Sequence, residues 1–465
     1  MIYIRELIKK TGIIAIGKMS TQVMSFFLLP VYTSLLSTSD YGVYDYVIAI
    51  SAFLLPIITL SLEDSCFRFL VDAKEKTQID GIITNMVVFI LCSSLSFVLI
   101  LGVLNQFFQI NELFYLIGYI LSSILIALTS SIARGKGNIK LYSIANFITG
   151  VAILLLNIFF LIVLGWRLKG LFFSCISANV LGSLFMILRG KYLNNIKIRY
   201  VDKRLMKEML HYSLPLVPNN LSWSIVNVSD RFFIINFLGE STNGMYAIAN
   251  KFPTLINTFF SFFVLAWKEV SAKVIGDDDS QYLFKKFFEI VDQGMLAFIS
   301  LFLMLLTIIY DFFIAPSYQI SYIFVPLLTY AVYFLCLANY VGGIFTAKKQ
   351  TKHIGRTTVI GALINILINI ILIKFIGLHA CVISTFISNL VIYITRIYQT
   401  KYLVKNMIKC NAFYYILNLI AIIVYYIHDK CIASVVLIVQ IVLIVLKNRG
   451  LIKKIISYQK KSNEE

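Results

Sequence analysis

Three basic side chains fall inside stretches otherwise built for lipid: Lys18 in TGIIAIGKMSTQVMSFFLLPVYTSLL, Arg231 in NVSDRFFIINFLG and Lys251 in GMYAIANKFP. A charge at the centre of a membrane helix costs about 2.5–3.5 kcal/mol on insertion scales, so such residues normally face protein or a water-filled cavity. Each of the three lies roughly 11 Å from its nearest interface at 1.5 Å per helical residue. That depth admits two readings. The side chains snorkel along the acyl chains to the headgroups, or they line a polar route and meet an anion that lipid cannot solvate. For the second use the residue types fit, since Arg grips anionic oxygens in a planar fork and Lys acts as a mobile point charge.

Asp230 precedes Arg231, and neighbours on a helix point about 100° apart, so each needs a partner elsewhere. For Asp230 the alternative to a place in the site is a structural hydrogen bond closing a helix contact. Asn227, Asn250 and Asn257 fall near these charges, with Asn219, Asn220 and Ser224 on the other half of the same span. Pro215, Pro218 and Pro253 are expected to interrupt the helices there, leaving hinges and free carbonyls. Glu63, Asp64 and Arg68 crowd the end of an earlier span and read as an interfacial cluster that gates the inner mouth. A proton or sodium site is the other reading of that cluster.

What must position these residues is a set of membrane helices. The chain has 465 residues, 59% hydrophobic and only 14% charged, a balance outside the ordinary range of soluble domains. Apolar stretches of about 20 residues, the length that crosses a hydrocarbon layer of about 30 Å, recur along it. The ten-residue alternation of an outer-membrane barrel is absent. Spans are expected at roughly 11–36, 42–66, 82–105, 110–133, 142–164, 168–188, 212–238, 243–266, 287–310, 318–346, 355–376, 378–400, 412–428 and 430–447. The last pair is the weakest, its connection HDKC being short.

A net charge of +18 would suggest nucleic acid in a soluble protein; its distribution argues otherwise. With a cytoplasmic N-terminus, 34 of the 41 Lys and Arg fall on inner segments and the span ends beside them. Only Arg167, Lys169, Lys374 and Lys430 fall outside. Basic residues are retained on the cytoplasmic side, so the alternation supports fourteen spans with both termini inside. The first span is longer than a signal-peptide core and lacks a small-residue cleavage site. The seven cysteines stand singly, without C-x-x-C spacing, and read as small hydrophobes.

The longest connection, RGKYLNNIKIRYVDKR at 189–204, falls near the middle, and the second half echoes the first. LLSTSDYGVYDYVIA (35–49) and FLGESTNGMYAIANK (237–251) both carry a small polar turn followed by G-x-Y, at Gly42/Tyr44 and Gly244/Tyr246. LNIFFLIVLG (156–165) and INIILIKFIG (368–377) both place Asn eight residues before Gly. Six helices followed by six in the same orientation imply a parallel repeat about an axis along the membrane normal. The organisation expected is an N-terminal six-helix lobe at 1–188, a cytoplasmic linker at 189–211, a second six-helix lobe at 212–400, and two added helices with a basic tail at 401–465. The fold class is thus an all-α polytopic membrane protein, with a cavity between twin lobes.

These segments, the first-span entry through YGVYDYV, HYSLPLVPNNLSWSIVNVSDRFFIINFLG and GMYAIANKFP, together with the two N-x7-G helices, resemble the polysaccharide and lipid-linked oligosaccharide flippases. These are the Wzx-type branch of the multidrug/oligosaccharidyl-lipid/polysaccharide (MOP) exporter superfamily. The resemblance spans about residues 11–400 through the order and spacing of its pieces. It implies a bacterial inner-membrane carrier, not an enzyme, that turns undecaprenyl-diphosphate-linked sugar units to the outer leaflet by alternating access. It further implies a V-shaped two-lobed fold, a cationic central cavity and no bound ATPase or other cofactor. Under that reading Lys18, Arg231 and Lys251 attract the diphosphate, among membrane lipids and beside the polymerase of the same pathway. An inside-negative potential favours export of an anion by about 2.3 kcal/mol per charge per 100 mV. A proton or sodium gradient is a second source of drive.

GIIAIGKM at 12–19 nearly spells a phosphate-binding loop, but Met19 stands where Ser or Thr should hold magnesium, and no strand precedes it. DDD at 277–279 reads as a solvated run, and the glycosylation sequon NVS at 227 sits within a span. Trp166 and Trp267 are expected at the outer and inner interfaces. A small-molecule exporter of the same superfamily remains an alternative. A membrane glycan polymerase or acyltransferase is the other, although the four His residues are scattered near span ends and the outer loops are short.

Overall fold

The computed structural model describes residues 24–109, 112–274, 280–348, 350–402, 404 and 411–450. Lys18 and the acidic run at 277–279 therefore lie outside the described residues. Ser37 opens the first long helix with a reciprocal cap: its hydroxyl accepts from the Asp40 amide, and the Asp40 carboxylate accepts from the Ser37 amide and hydroxyl. Sixteen α-helices are described. The first seven are α1 (Leu29–Leu35), α2 (Thr38–Thr59), α3 (Leu62–Asp72), α4 (Lys76–Phe108), α5 (Leu113–Gly135), α6 (Ile139–Asn157, prolonged by a π-helical stretch to Val163) and α7 (Arg167–Gly190). A short α8 (Lys203–Ser213) leads into α9 (Val217–Leu238), α10 (Glu240–Val274) and α11 (Ser280–Phe313). A 3-10 segment, Pro316–Phe324, precedes α12 (Val325–Ala347), and α13 (Thr351–Ile376), α14 (Leu378–Thr400), α15 (Ala412–Ile427) and α16 (Lys430–Lys447) complete the chain.

Eleven of the described helical segments are long and apolar enough to cross a membrane. Helix α9 is not among them, although a span was expected there. Its 22 residues include Asn219, Asn220, Asn227, Asp230 and Arg231, a polar load that needs protein rather than lipid around it. Such surroundings exist, for α9 packs against α2, α10 and α13. The α15 segment has only 16 residues, and of the first expected span the described part is Met24–Leu35.

Two boundaries differ from the sequence expectation. The second span was expected to run to Cys66, but Leu60 and Ser61 adopt left-handed φ of 50° and 53° and turn the chain into α3. Left-handed geometry costs a non-glycine residue roughly 1–2 kcal/mol; here the Thr59 hydroxyl steadies the turn by accepting from the Ser61 amide at 3.2 Å. Pro253 was expected to interrupt its helix, yet α10 runs unbroken through it. Pro215 and Pro218 do sit at a break, the 3-10 turn Leu214–Leu216 and the first turn of α9.

The repeated G-x-Y motifs meet. α2 packs along α10, and a Cβ on Gly42 would overlap the Glu240 carbonyl oxygen and lie 2.9 Å from the Gly244 nitrogen. Reciprocally, a Cβ on Gly244 would overlap the Thr38 carbonyl oxygen and lie 3.2 Å from the Gly42 nitrogen. Only glycine permits this backbone approach. Hydrogen bonds surround it: Thr38 to Ser241 at 2.6 Å, Ser39 to Glu240 at 2.6 Å, and the Asn243 amide to the Gly42 carbonyl at 2.7 Å.

The 189–204 connection is tied down rather than free. Asp80, 1% exposed, accepts from Asn195 and Lys197, each at 2.7 Å. Thr84 accepts from the Lys197 amide at 3.0 Å, and Asn85 bridges the Tyr200 carbonyl and the Asp202 amide. At the other end of the chain α15 and α16 pack on α11, where Tyr322 stacks on Tyr425 at 3.9 Å and Lys430 pairs with Asp311 at 2.6 Å.

Candidate functional site

Arg231 projects from α9 toward α2 and meets Asp45. Its Nε lies 2.7 Å from Oδ2 and its Nη2 3.5 Å from Oδ1, while Nη1 donates to the Asn227 carbonyl one turn back at 2.8 Å. The guanidinium carbon also sits 5.6 Å from the centre of the Tyr246 ring. Both charged side chains are largely buried, 12% and 14% exposed. Lys251, on α10, opens into the same space. A pocket of about 180 Å³ is lined by Asp45, Arg231, Asn250, Lys251 and Thr254, together with Ser25 and Phe26. Among the described residues Lys251 has no hydrogen bond or ion pair, so the described lining carries two cations against one carboxylate.

The site lies between two belts that join α2 to the second half. On one side is the glycine crossing with its hydroxyl and carboxylate bonds. On the other, near the start of α9, Asn220 donates to Ser61 at 3.1 Å and reaches Asp64 at 3.5 Å, and Ser224 donates to the Ala52 carbonyl at 3.3 Å. Arg231 falls between these belts along α9.

Of the residues expected in the site, the structure brings together Arg231, Lys251 and Asn250. Asn227 contributes its backbone carbonyl, its side chain lying on an exposed part of α9. Asn257 is on α10 but not among the residues lining the pocket. Asp230, expected in the site, does not line the pocket. It is 2% exposed and turned away from the pocket, into the seam of α9 with α10, α13 and α14. There its carboxylate accepts from Thr385 at 2.6 Å, Asn369 at 2.7 Å, Tyr246 at 2.8 Å and Asn365 at 3.0 Å. Four donors satisfy a buried carboxylate without a cation.

The expected Glu63, Asp64 and Arg68 cluster also separates. Arg68 pairs with Asp72 at 2.6 Å on an exposed face of α3, Asp64 faces Asn220, and one buried Glu63 oxygen has no hydrogen-bond partner. Asn219 belongs to the side chains outside the description, as does Lys18. The sequence reading missed two charges. Asp45 was absorbed into the turn motif, although it is an acid set within a span, which is signal enough. Arg396 was counted with the basic inner segments, but it is 1% exposed inside α14, donating to Thr357 at 3.0 Å, the Ala338 carbonyl at 2.8 Å and Thr358 at 3.2 Å.

Comparison with solved structures finds the same architecture in transporters. The lipid II flippase MurJ, in an inward closed conformation, matches with a TM-score of 0.72 at 17% identity, covering 94% of this chain and 99% of that one. An inward-facing multidrug resistance MATE-family transporter of the MOP superfamily matches at 0.65 and 17% identity, covering 84% and 98%. A MOP superfamily transporter from Pyrococcus furiosus, described as having a binding pocket of reversed polarity, matches at 0.57 and 17% identity, covering 87% and 96%. At these identities the likeness is one of fold. No curated protein matches the sequence. The family model described as polysaccharide biosynthesis protein matches residues 7–274. With more than half its length matched, the chain belongs to the polysaccharide biosynthesis protein family, and its fold is the one these MOP superfamily transporters share.

Proposed function

We propose that the protein is a flippase for polyprenyl-diphosphate-linked oligosaccharides, undecaprenyl being the expected lipid, and that it serves surface polysaccharide synthesis at the bacterial inner membrane. The observation that carries this reading is the convergence of Arg231 and Lys251 on one pocket whose described lining offers a single counter-charge. An anionic head entering there competes with Asp45 for the guanidinium and adds Lys251 as a second contact. Fourteen spans in two six-helix lobes, with both termini cytoplasmic, complete the proposal. The reciprocal approach of Gly42 and Gly244 supports the pseudo-two-fold relation, and the basic segments support the orientation.

The pocket of about 180 Å³ is well below the roughly 300–1,000 Å³ of ordinary small-molecule sites. It suits a phosphate group and not a sugar unit, so passage of the repeat unit requires one belt to part while the other holds. The glycine crossing is suited to this, being a close backbone approach ringed by hydrogen bonds that water can replace. Membrane potential supplies drive for an anion. The test is flipping of a lipid-linked sugar in vesicles holding wild-type protein or the R231Q/K251Q variant. The reading expects flipping by the wild type and loss with both cations gone; full flipping by the variant at equal protein level contradicts it.

A further inference from the structure

A larger cleft, of about 1000 Å³, lies away from this site, between the first half of α4 and the short helix α8. Residues four apart share a helix face, and α8 uses this twice. Lys203, Lys207 and His211 form one stripe, and Met206 and Leu210, continued by Leu214 of the following 3-10 turn, a second beside it; both line the cleft. Val88 and Phe89 of α4 supply an apolar floor. Among the described residues neither Lys203 nor Lys207 has a hydrogen bond or ion pair, whereas Arg204 and Glu208 pair with each other at 3.4 Å. The net charge facing the cleft is therefore positive.

The cleft is built into the fold. Asp202 caps α8 by accepting from the Arg204 amide at 2.7 Å, and its own amide donates to Asn85 of α4 at 3.1 Å. Met209 is fully buried on the far face. Farther along, α4 turns Leu91, Leu95 and Leu99 outward, each more than 60% exposed, an apolar surface on the same helix as the cleft's floor. An occupant has to offer a negative head to one stripe and an apolar body to the other.

We propose that this cleft holds an anionic phospholipid of the adjoining leaflet, its phosphate against Lys203, Lys207 and His211 and an acyl chain along Phe89, Met206 and Leu210. Basic clusters beside apolar helix faces bind such lipids through combined charge and burial. Because α8 runs through a single 3-10 turn into α9, a lipid held here fixes the approach of the helix that carries Arg231. The site goes beyond the proposed transport reading, and its test does not depend on flipping.

Native mass spectrometry of the detergent-solubilised full chain, titrated with phosphatidylglycerol or phosphatidylcholine, reads the binding directly. The wild type is expected to retain phosphatidylglycerol preferentially. The K203Q/K207Q variant should lose about thirtyfold in that affinity, the effect of two membrane-surface lysines, with phosphatidylcholine retention unchanged. K348Q/K352Q, which removes two basic residues elsewhere, should leave phosphatidylglycerol binding intact. A phosphatidylglycerol with a photoreactive acyl chain should label peptides of α4 and α8. Equal retention of both lipids, an equal loss in the control variant, or displacement of phosphatidylglycerol by sub-stoichiometric polyprenyl phosphate would overturn the proposal.

Discussion

Asp45 and Arg231 should have the same effect on stability and opposite effects on binding. The pair is at 2.7 Å and mostly buried, and unit charges about 4 Å apart interact by about 4 kcal/mol at an effective dielectric of 20. Removing one partner of a buried pair leaves a desolvated charge, at about 3–5 kcal/mol. Asp45→Asn and Arg231→Gln should each destabilise by about 3 kcal/mol or slightly less, since neither side chain is fully enclosed. The double variant should recover roughly 2 kcal/mol of the summed loss as coupling. A thermal unfolding series in detergent, read as a double-mutant cycle, measures this. Binding of a short-chain polyprenyl diphosphate separates the roles. Asp45→Asn leaves the guanidinium free of its competitor and should tighten binding about tenfold, equivalent to about 1.4 kcal/mol; Arg231→Gln should weaken it by at least as much. Additive stability losses, or binding that moves in the same direction in both variants, would refute the reasoning.

Other substitutions probe the frame around the site. Gly244→Val forces a side chain against the Thr38 carbonyl and should hold the α2–α10 belt apart; the check is increased labelling of a cysteine placed at Ser241, with flipping lost at normal membrane levels. Asp230→Ala strands the donors of Thr385, Asn369, Tyr246 and Asn365 and should cost about 1–3 kcal/mol for each donor that finds no other acceptor, whereas Asp230→Asn, which keeps an acceptor, should cost clearly less in the same unfolding assay. Asp80→Ala releases Asn195 and Lys197, and limited proteolysis should then cut the 192–202 connection faster.

The sequence carried much of the helical plan because charge and apolar length are local properties. Lys251 and Arg231 stood out as isolated cations in apolar runs, and the echo of Gly42 by Gly244 marked a shared turn before any contact was visible. Partners were another matter. Asp230 is satisfied by Asn365, Asn369 and Thr385, more than 130 residues onward, and helical spacing says nothing about groups that distant. The same blindness left Arg396 among the exposed basic residues, since Thr357 and Ala338 reach it only in the folded chain. The break at Leu60–Ser61 carries neither Gly nor Pro, so no local signal announced it. Helix α9 shows the reverse limit: its mean hydropathy is low because it carries Asn220, Asp230 and Arg231, whose partners lie on other helices.

In the proposed mechanism an anionic lipid head passes between α2, α9 and α10. A polyprenyl diphosphate bearing a photoreactive group beside the phosphates, activated in vesicles containing the wild-type protein, tests this directly. Crosslinks should map to the lining around Asp45, Arg231 and Asn250–Thr254, and excess unlabelled diphosphate lipid should suppress them. Labelling confined to lipid-facing surfaces such as α16, and indifferent to that competitor, would contradict it.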